Sequence, residues 1–123
     1  MGDLSPHFSR KEFKCPCCNF GMNDGDVSSE LIHLLEAMRE DLGRPIRINS
    51  GCRCPARNAA VGGVPNSAHL RGTAADIHVE GGAHRRKLMD VAVMHFASGI
   101  GIAKTFVHCD VDHVLPRPSA WSY

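Results

Sequence analysis

Nowhere does the chain carry an apolar run near the roughly eighteen residues that a membrane-spanning helix needs, so insertion into a bilayer is not expected. The opening MGDLSPHFSRKEF lacks the apolar core of a secretory signal, which predicts a protein that is cytoplasmic as synthesised. Basic residues never gather into a block longer than Arg85-Arg86-Lys87, and the formal charge is only +1. That excludes the electrostatic footprint of a nucleic-acid binder. Internal repeats and low-complexity tracts are also missing, which removes solenoids and disordered linkers from consideration.

What remains is a chain of 123 residues, 43% apolar and 22% charged, long enough to bury one real core and too short for two. Residues 1–123 are expected to form a single domain, most simply a monomer, with 1–27 as an irregular arm packed on it. One turn of helix is expected within the arm at Ser9 to Phe13. From Ser28, Leu31, Leu34, Leu35, Met38 and Leu42 recur at helical spacing, with Ser28 or Asp26 as cap and Gly43 as stop. Ile46 to Asn49 and Ala74 to Val79 read as strands, and Pro55 opens a short helix through Ala60. A second amphipathic helix runs from about Ala83 to Ala97, with Leu88, Val91, Ala92 and Phe96 on one face. Ile100–Ala103 and Phe106–Val111 are short strands, and the tail LPRPSAWSY is broken by its prolines. The order predicts an α+β fold with a small, mainly antiparallel sheet and two main helices.

Six cysteines fall in three places: Cys15, Cys17 and Cys18, then Cys52 and Cys54, then Cys109. They lack the paired C-x-x-C spacing of a zinc ribbon, although Cys15 and Cys18 stand at i and i+3. Free buried thiols are the leading expectation. A structural zinc at Cys15 and Cys18, or a disulfide between the first two clusters, stays open.

Three stretches carry chemistry. In Ser67 to Asp76, SAHLRGTAAD, an imidazole and a carboxylate flank a glycine and run into an apolar strand, and zinc favours such nitrogen and oxygen donors. In Phe106-Val107-His108-Cys109-Asp110, strand alternation places Phe106, His108 and Asp110 on one face, where His108 can meet His69 and Asp76. Ser50-Gly51-Cys52-Arg53 is a turn after a strand that projects a guanidinium suited to gripping a carboxylate. Taken singly each has an ordinary reading: Asp76 as a turn cap, Asp110 as the partner of Arg117, and Arg53 as a surface charge. Arg47 and Arg71 read as structural or rim residues, His33 and His95 as helix residues, and His84, beside Arg85, as solvated.

Together these residues resemble the zinc D-Ala-D-Ala carboxypeptidases and related phage endolysin peptidases, which share a fold with lysostaphin-type peptidases and the hedgehog signalling domain. The resemblance runs in order through HFSRKEF, INSGCR, the N-x-x-V-G-G of Asn58 to Gly63, SAHLRGTAADI, GIGI, FVHCDV and Trp121. It implies one zinc ion held by His69, Asp76 and His108, and hydrolysis of peptidoglycan stem-peptide bonds involving D-alanine. It further implies that Arg53 positions the substrate, and Ser67, at the head of the same pattern, joins it in substrate binding. A cytoplasmic product would reach the cell wall only by release or export.

Members of that family commonly carry Glu or Asp three residues before the last histidine, where this chain has Thr105. A threonine cannot serve as a general base at neutral pH. Asp110, on the face of His108, is the first candidate for the acid–base role, with His113 or His78 as substitutes because imidazole titrates in the useful range. Two other functions stay open: a metal-stabilised module that binds cell-wall peptide without cutting it, and a zinc hydrolase acting on some other peptide.

Overall fold

The computed structural model describes residues 2–123. The arm contributes one short helix, α1 (Arg10–Phe13), which buries Phe13. The main helix, α2 (Ser29–Leu42), starts where Ser28 Oγ accepts the Leu31 N–H and stops at Gly43, whose φ of 74° is the left-handed conformation a helix C-terminus favours. Its apolar stripe, Leu31, Leu34, Leu35, Met38 and Leu42, is buried in the core. The expected stripe and cap are both found.

After α2 come β1 (Ile48–Ser50), α3 (Pro55–Ala60), a 3₁₀ turn (Ala68–Arg71), β2 (Ala74–His78), α4 (Gly82–Met94), β3 (Gly99–Ile102), β4 (Phe106–Asp110) and β5 (Ser119–Ser122). The sheet order is β1-β2-β4-β3-β5, antiparallel except where β5 joins β3 in parallel. One face meets α2 and α4: Ala75 and Ile77 of β2 and Val107 and Cys109 of β4 are buried in the core. Alternation therefore turns Asp76, His108 and Asp110 to the opposite face, and Asp76 stands directly across from His108 in the β2–β4 register.

Three local expectations change. Helix α4 ends at Met94 rather than Ala97, because Phe96 lies 87% exposed at a φ of 62° and no burial rewards another turn. The fourth position on its buried face belongs to His84, whose Nδ1 accepts the Glu80 N–H, so His84 is not solvated. The tail forms a strand after all: both prolines precede Ser119, leaving the N–H groups of β5 free to pair along one edge of β3. Among the described residues no helix is long and apolar enough to cross a membrane.

Candidate metal centre

His69 stands in the 3₁₀ turn, Asp76 in the middle of β2 and His108 in the middle of β4, and all three are buried. One donor atom from each lies within 4.8 Å of the other two. His69 Nε2 is 3.2 Å and His108 Nδ1 3.1 Å from the same oxygen, Asp76 Oδ1. Donors held about 2.0–2.1 Å from a tetrahedral zinc sit about 3.3 Å apart, so the spacing suits one ion.

The outer partners set which imidazole nitrogens face inward. His69 Nδ1 is 2.6 Å from the Gly51 carbonyl, which can only accept, so this nitrogen carries the proton and Nε2 presents a lone pair. His108 Nε2 is 2.8 Å from Asp110 Oδ2, which leaves Nδ1 as its inward donor. Two lone pairs thus face a carboxylate, and a proton or a cation must lie among them. Burial raises the Asp76 pKa, but the two imidazoles outweigh it and hold the carboxyl well below the usual range. Burial likewise disfavours a charged His108, yet Asp110 and Asp76 raise its pKa.

The group opens onto a cleft of about 760 Å³ walled by Arg53, Ser67, Trp121 and Tyr123. Arg53 projects from the turn after β1, with Nε on Ser50 Oγ (3.1 Å) and a terminal nitrogen 3.0 Å from Asp76 Oδ2. Its other terminal nitrogen reaches Asn58 Oδ1 at 3.3 Å. A side chain at Gly63 would overlap that oxygen, at 2.1 Å from an added Cβ, so the Gly62-Gly63 turn makes room for the arginine. Ser67 caps the 3₁₀ turn, its Oγ accepting the His69 N–H at 3.2 Å.

Residues 6–110 match the family model described as Peptidase M15. The chain belongs to peptidase family M15. It is also 38% identical over 69 residues to a zinc D-Ala-D-Ala carboxypeptidase of Streptomyces albus G, a match covering 49% of this chain and 27% of that protein. The M15 chain therefore spans about a quarter of that relative's length.

The structure separates the remaining M15 site candidates. Asp110 does not reach the cleft: it is 0% exposed, its oxygens take two hydrogen bonds from Arg117 (3.0 and 2.7 Å), and Oδ1 also accepts the Asp112 N–H. Burial raises the Asp110 pKa, but His108, Arg117 and the Asp112 N–H bring it down to about 2. That is the setting of a fixed carboxylate rather than of a base open to water, and the expected Arg117 pairing is present. His113 is exposed and pairs with Glu30 at 2.9 Å, and His78 lies at the end of β2 toward Glu80. Neither lines the cleft, and nor does Thr105.

Arg117 and Tyr123 also wall the cleft, a role that the proline-broken tail conceals in the sequence. A sequence signal for them existed in the two glycines of GIGI. An added Cβ at Gly99 would lie 2.2 Å from Asp110 Oδ2 and 2.6 Å from Arg117 Nε, and one at Gly101 would lie 2.6 Å from Trp121 Nε1 and 2.9 Å from Tyr123 Cε2. Bare backbone on β3 is what lets Asp110 and Trp121 lie over the sheet.

Proposed function

We propose that this M15 domain is a zinc peptidase that hydrolyses peptidoglycan stem-peptide bonds involving D-alanine, with His69 Nε2, Asp76 and His108 Nδ1 as the metal ligands. The observation that carries the reading is the convergence of two imidazole nitrogens on one carboxylate oxygen, each imidazole held at its other nitrogen by an outer acceptor. A bound zinc ion would supply Lewis acidity toward a carbonyl and toward water.

The protein's own groups do the rest. Arg53, 13% exposed and anchored by Ser50 and Asn58, offers a preorganised guanidinium to a substrate carboxylate in the cleft beside Asp76. Trp121 and Tyr123 form an apolar wall for a small side chain, and Ser67 adds a hydroxyl beside the ligands. Asp110 orients His108 and acts through it. In the overall step water adds to the carbonyl carbon, the C–N bond breaks, and a proton passes to the leaving amine.

One observation favours a second reading, a metal-stabilised module that binds cell-wall peptide without cutting it. Among the described residues, Asp76 is the only carboxylate lining the cleft, and the hydroxyls of Ser67 and Tyr123 are its neutral proton carriers. Zinc-loaded protein incubated with purified peptidoglycan separates the two. Peptidase action predicts new amino groups or free D-alanine, lost with chelator and in His69→Ala. Bound wall peptide with no new amino groups at full zinc loading would establish the binding module. Equal cleavage of an unrelated L-peptide would point to a hydrolase of other peptides.

A further inference from the structure

A second cluster of metal-binding side chains lies outside this centre. Cys15, Cys17 and Cys18 follow α1 in the N-terminal arm, and Cys54 stands at the start of α3, yet their four sulfurs all lie within 4.8 Å of one another. Cys17 Sγ is 3.1 Å from Cys54 Sγ and 3.6 Å from Cys15 Sγ. Four thiolates about 2.3 Å from a tetrahedral zinc would have sulfurs about 3.8 Å apart, so small adjustments close such a shell. No disulfide is present among the six cysteines.

Cys15 is buried, but packing does not explain the other three. Cys17 is exposed and Cys18 and Cys54 are only half-buried, so these three gain little from the core that shelters Cys52 and Cys109. Backbone N–H groups also point at the sulfurs: Cys54 N–H lies 3.4 Å from Cys15 Sγ, and Arg57 N–H 3.4 Å from Cys54 Sγ. Such donors stabilise sulfur as thiolate, the form that binds metal. Lys14 Nζ donates to the Cys15 carbonyl at 3.1 Å, which brings a positive charge beside a shell whose four thiolates would leave a divalent ion net negative.

We propose that Cys15, Cys17, Cys18 and Cys54 form a structural zinc site that ties the N-terminal arm to the loop carrying Arg53. All four positions of the ion are filled by protein, so none is open for substrate, and all-thiolate donors select zinc over magnesium or calcium. Each thiol that binds releases its proton to solvent. Cys54 adjoins Arg53, so the site would hold the guanidinium's turn in place against Asp76.

Titration of the reduced 123-residue chain with cobalt(II) under argon tests the proposal independently of the His69 centre. The expected result is thiolate-to-cobalt charge-transfer absorption in the near ultraviolet, abolished by zinc. His69, Asp76 and His108 hold no sulfur and cannot produce that band, so it survives in His108→Ala. Cys17→Ser and Cys18→Ser, at positions outside the hydrophobic core, are each expected to weaken zinc binding at this site at least tenfold. Zinc is also expected to shield Cys17, Cys18 and Cys54, the three accessible thiols of the cluster, from alkylation in the unaltered chain. No charge-transfer band from reduced protein, equal alkylation with and without zinc, or a Cys17–Cys54 disulfide in freshly purified chain would overturn it.

Discussion

At the scale of single residues, the two inner histidines differ in which nitrogen they offer. Gly51 commits the His69 proton to Nδ1 and Asp110 commits the His108 proton to Nε2. Asp110→Asn is therefore expected to weaken zinc binding at this centre by about 10–100-fold, the usual cost of losing an outer partner of a histidine ligand, as read by competition with a chelating dye. Lost hydrolysis with unchanged zinc affinity would instead return Asp110 to the acid–base role. His69, Asp76 and His108 were legible as a spaced pattern. Their protonation was not, because Gly51 lies 18 residues before His69 and its carbonyl direction depends on the fold.

Among the elements, the 3₁₀ turn that presents His69 is short, and its rigidity comes from outside. Asp112, just past β4, takes hydrogen bonds from Arg71 Nε (2.8 Å) and a terminal Arg71 nitrogen (2.9 Å), from Thr73 Oγ1 (2.9 Å), and from the N–H groups of Val114 and Leu115. Burial raises the Asp112 pKa, but Arg71, the Leu115 N–H and Thr73 together hold it well below the usual carboxylate range. A carboxyl lowered on folding adds stability above its unfolded pKa of about 3.9, and that stability is lost as pH falls through the folded value. Asp112→Ala should thus cost about 3 kcal/mol at neutral pH, measured by denaturant unfolding, with the gap narrowing below about pH 4. A gap that stays constant down to about pH 2 would contradict an ionic origin. Helix α2 and strands β2 and β4 were legible because apolar period and caps agreed. The network around Asp112 was not, since Arg71 meets it across 41 residues. Strand β5 is not legible in the sequence because prolines hide an edge strand that begins just after them.

For the molecule as a whole, the sheet divides the labour. One face packs on α2 and α4, and the other gathers donors from β2, β4 and the turn before β2 over a cleft whose far wall is β5. The α+β class followed from the order of helices and strands, and the shared face of Phe106, His108 and Asp110 from alternation along β4. The shape of the cleft did not, because it needs β5 beside β3 and bare glycines beneath Trp121. The cysteines show the same limit: spacing along the chain suggested thiols, and only folding brings Cys54 to Cys15, Cys17 and Cys18. The most direct measurement is an anomalous difference map, collected at the zinc edge, from crystals of the zinc-loaded chain. A peak within bonding distance of His69 Nε2, Asp76 and His108 Nδ1 is the predicted result, and a zinc-saturated crystal with no density among those three atoms would contradict the account.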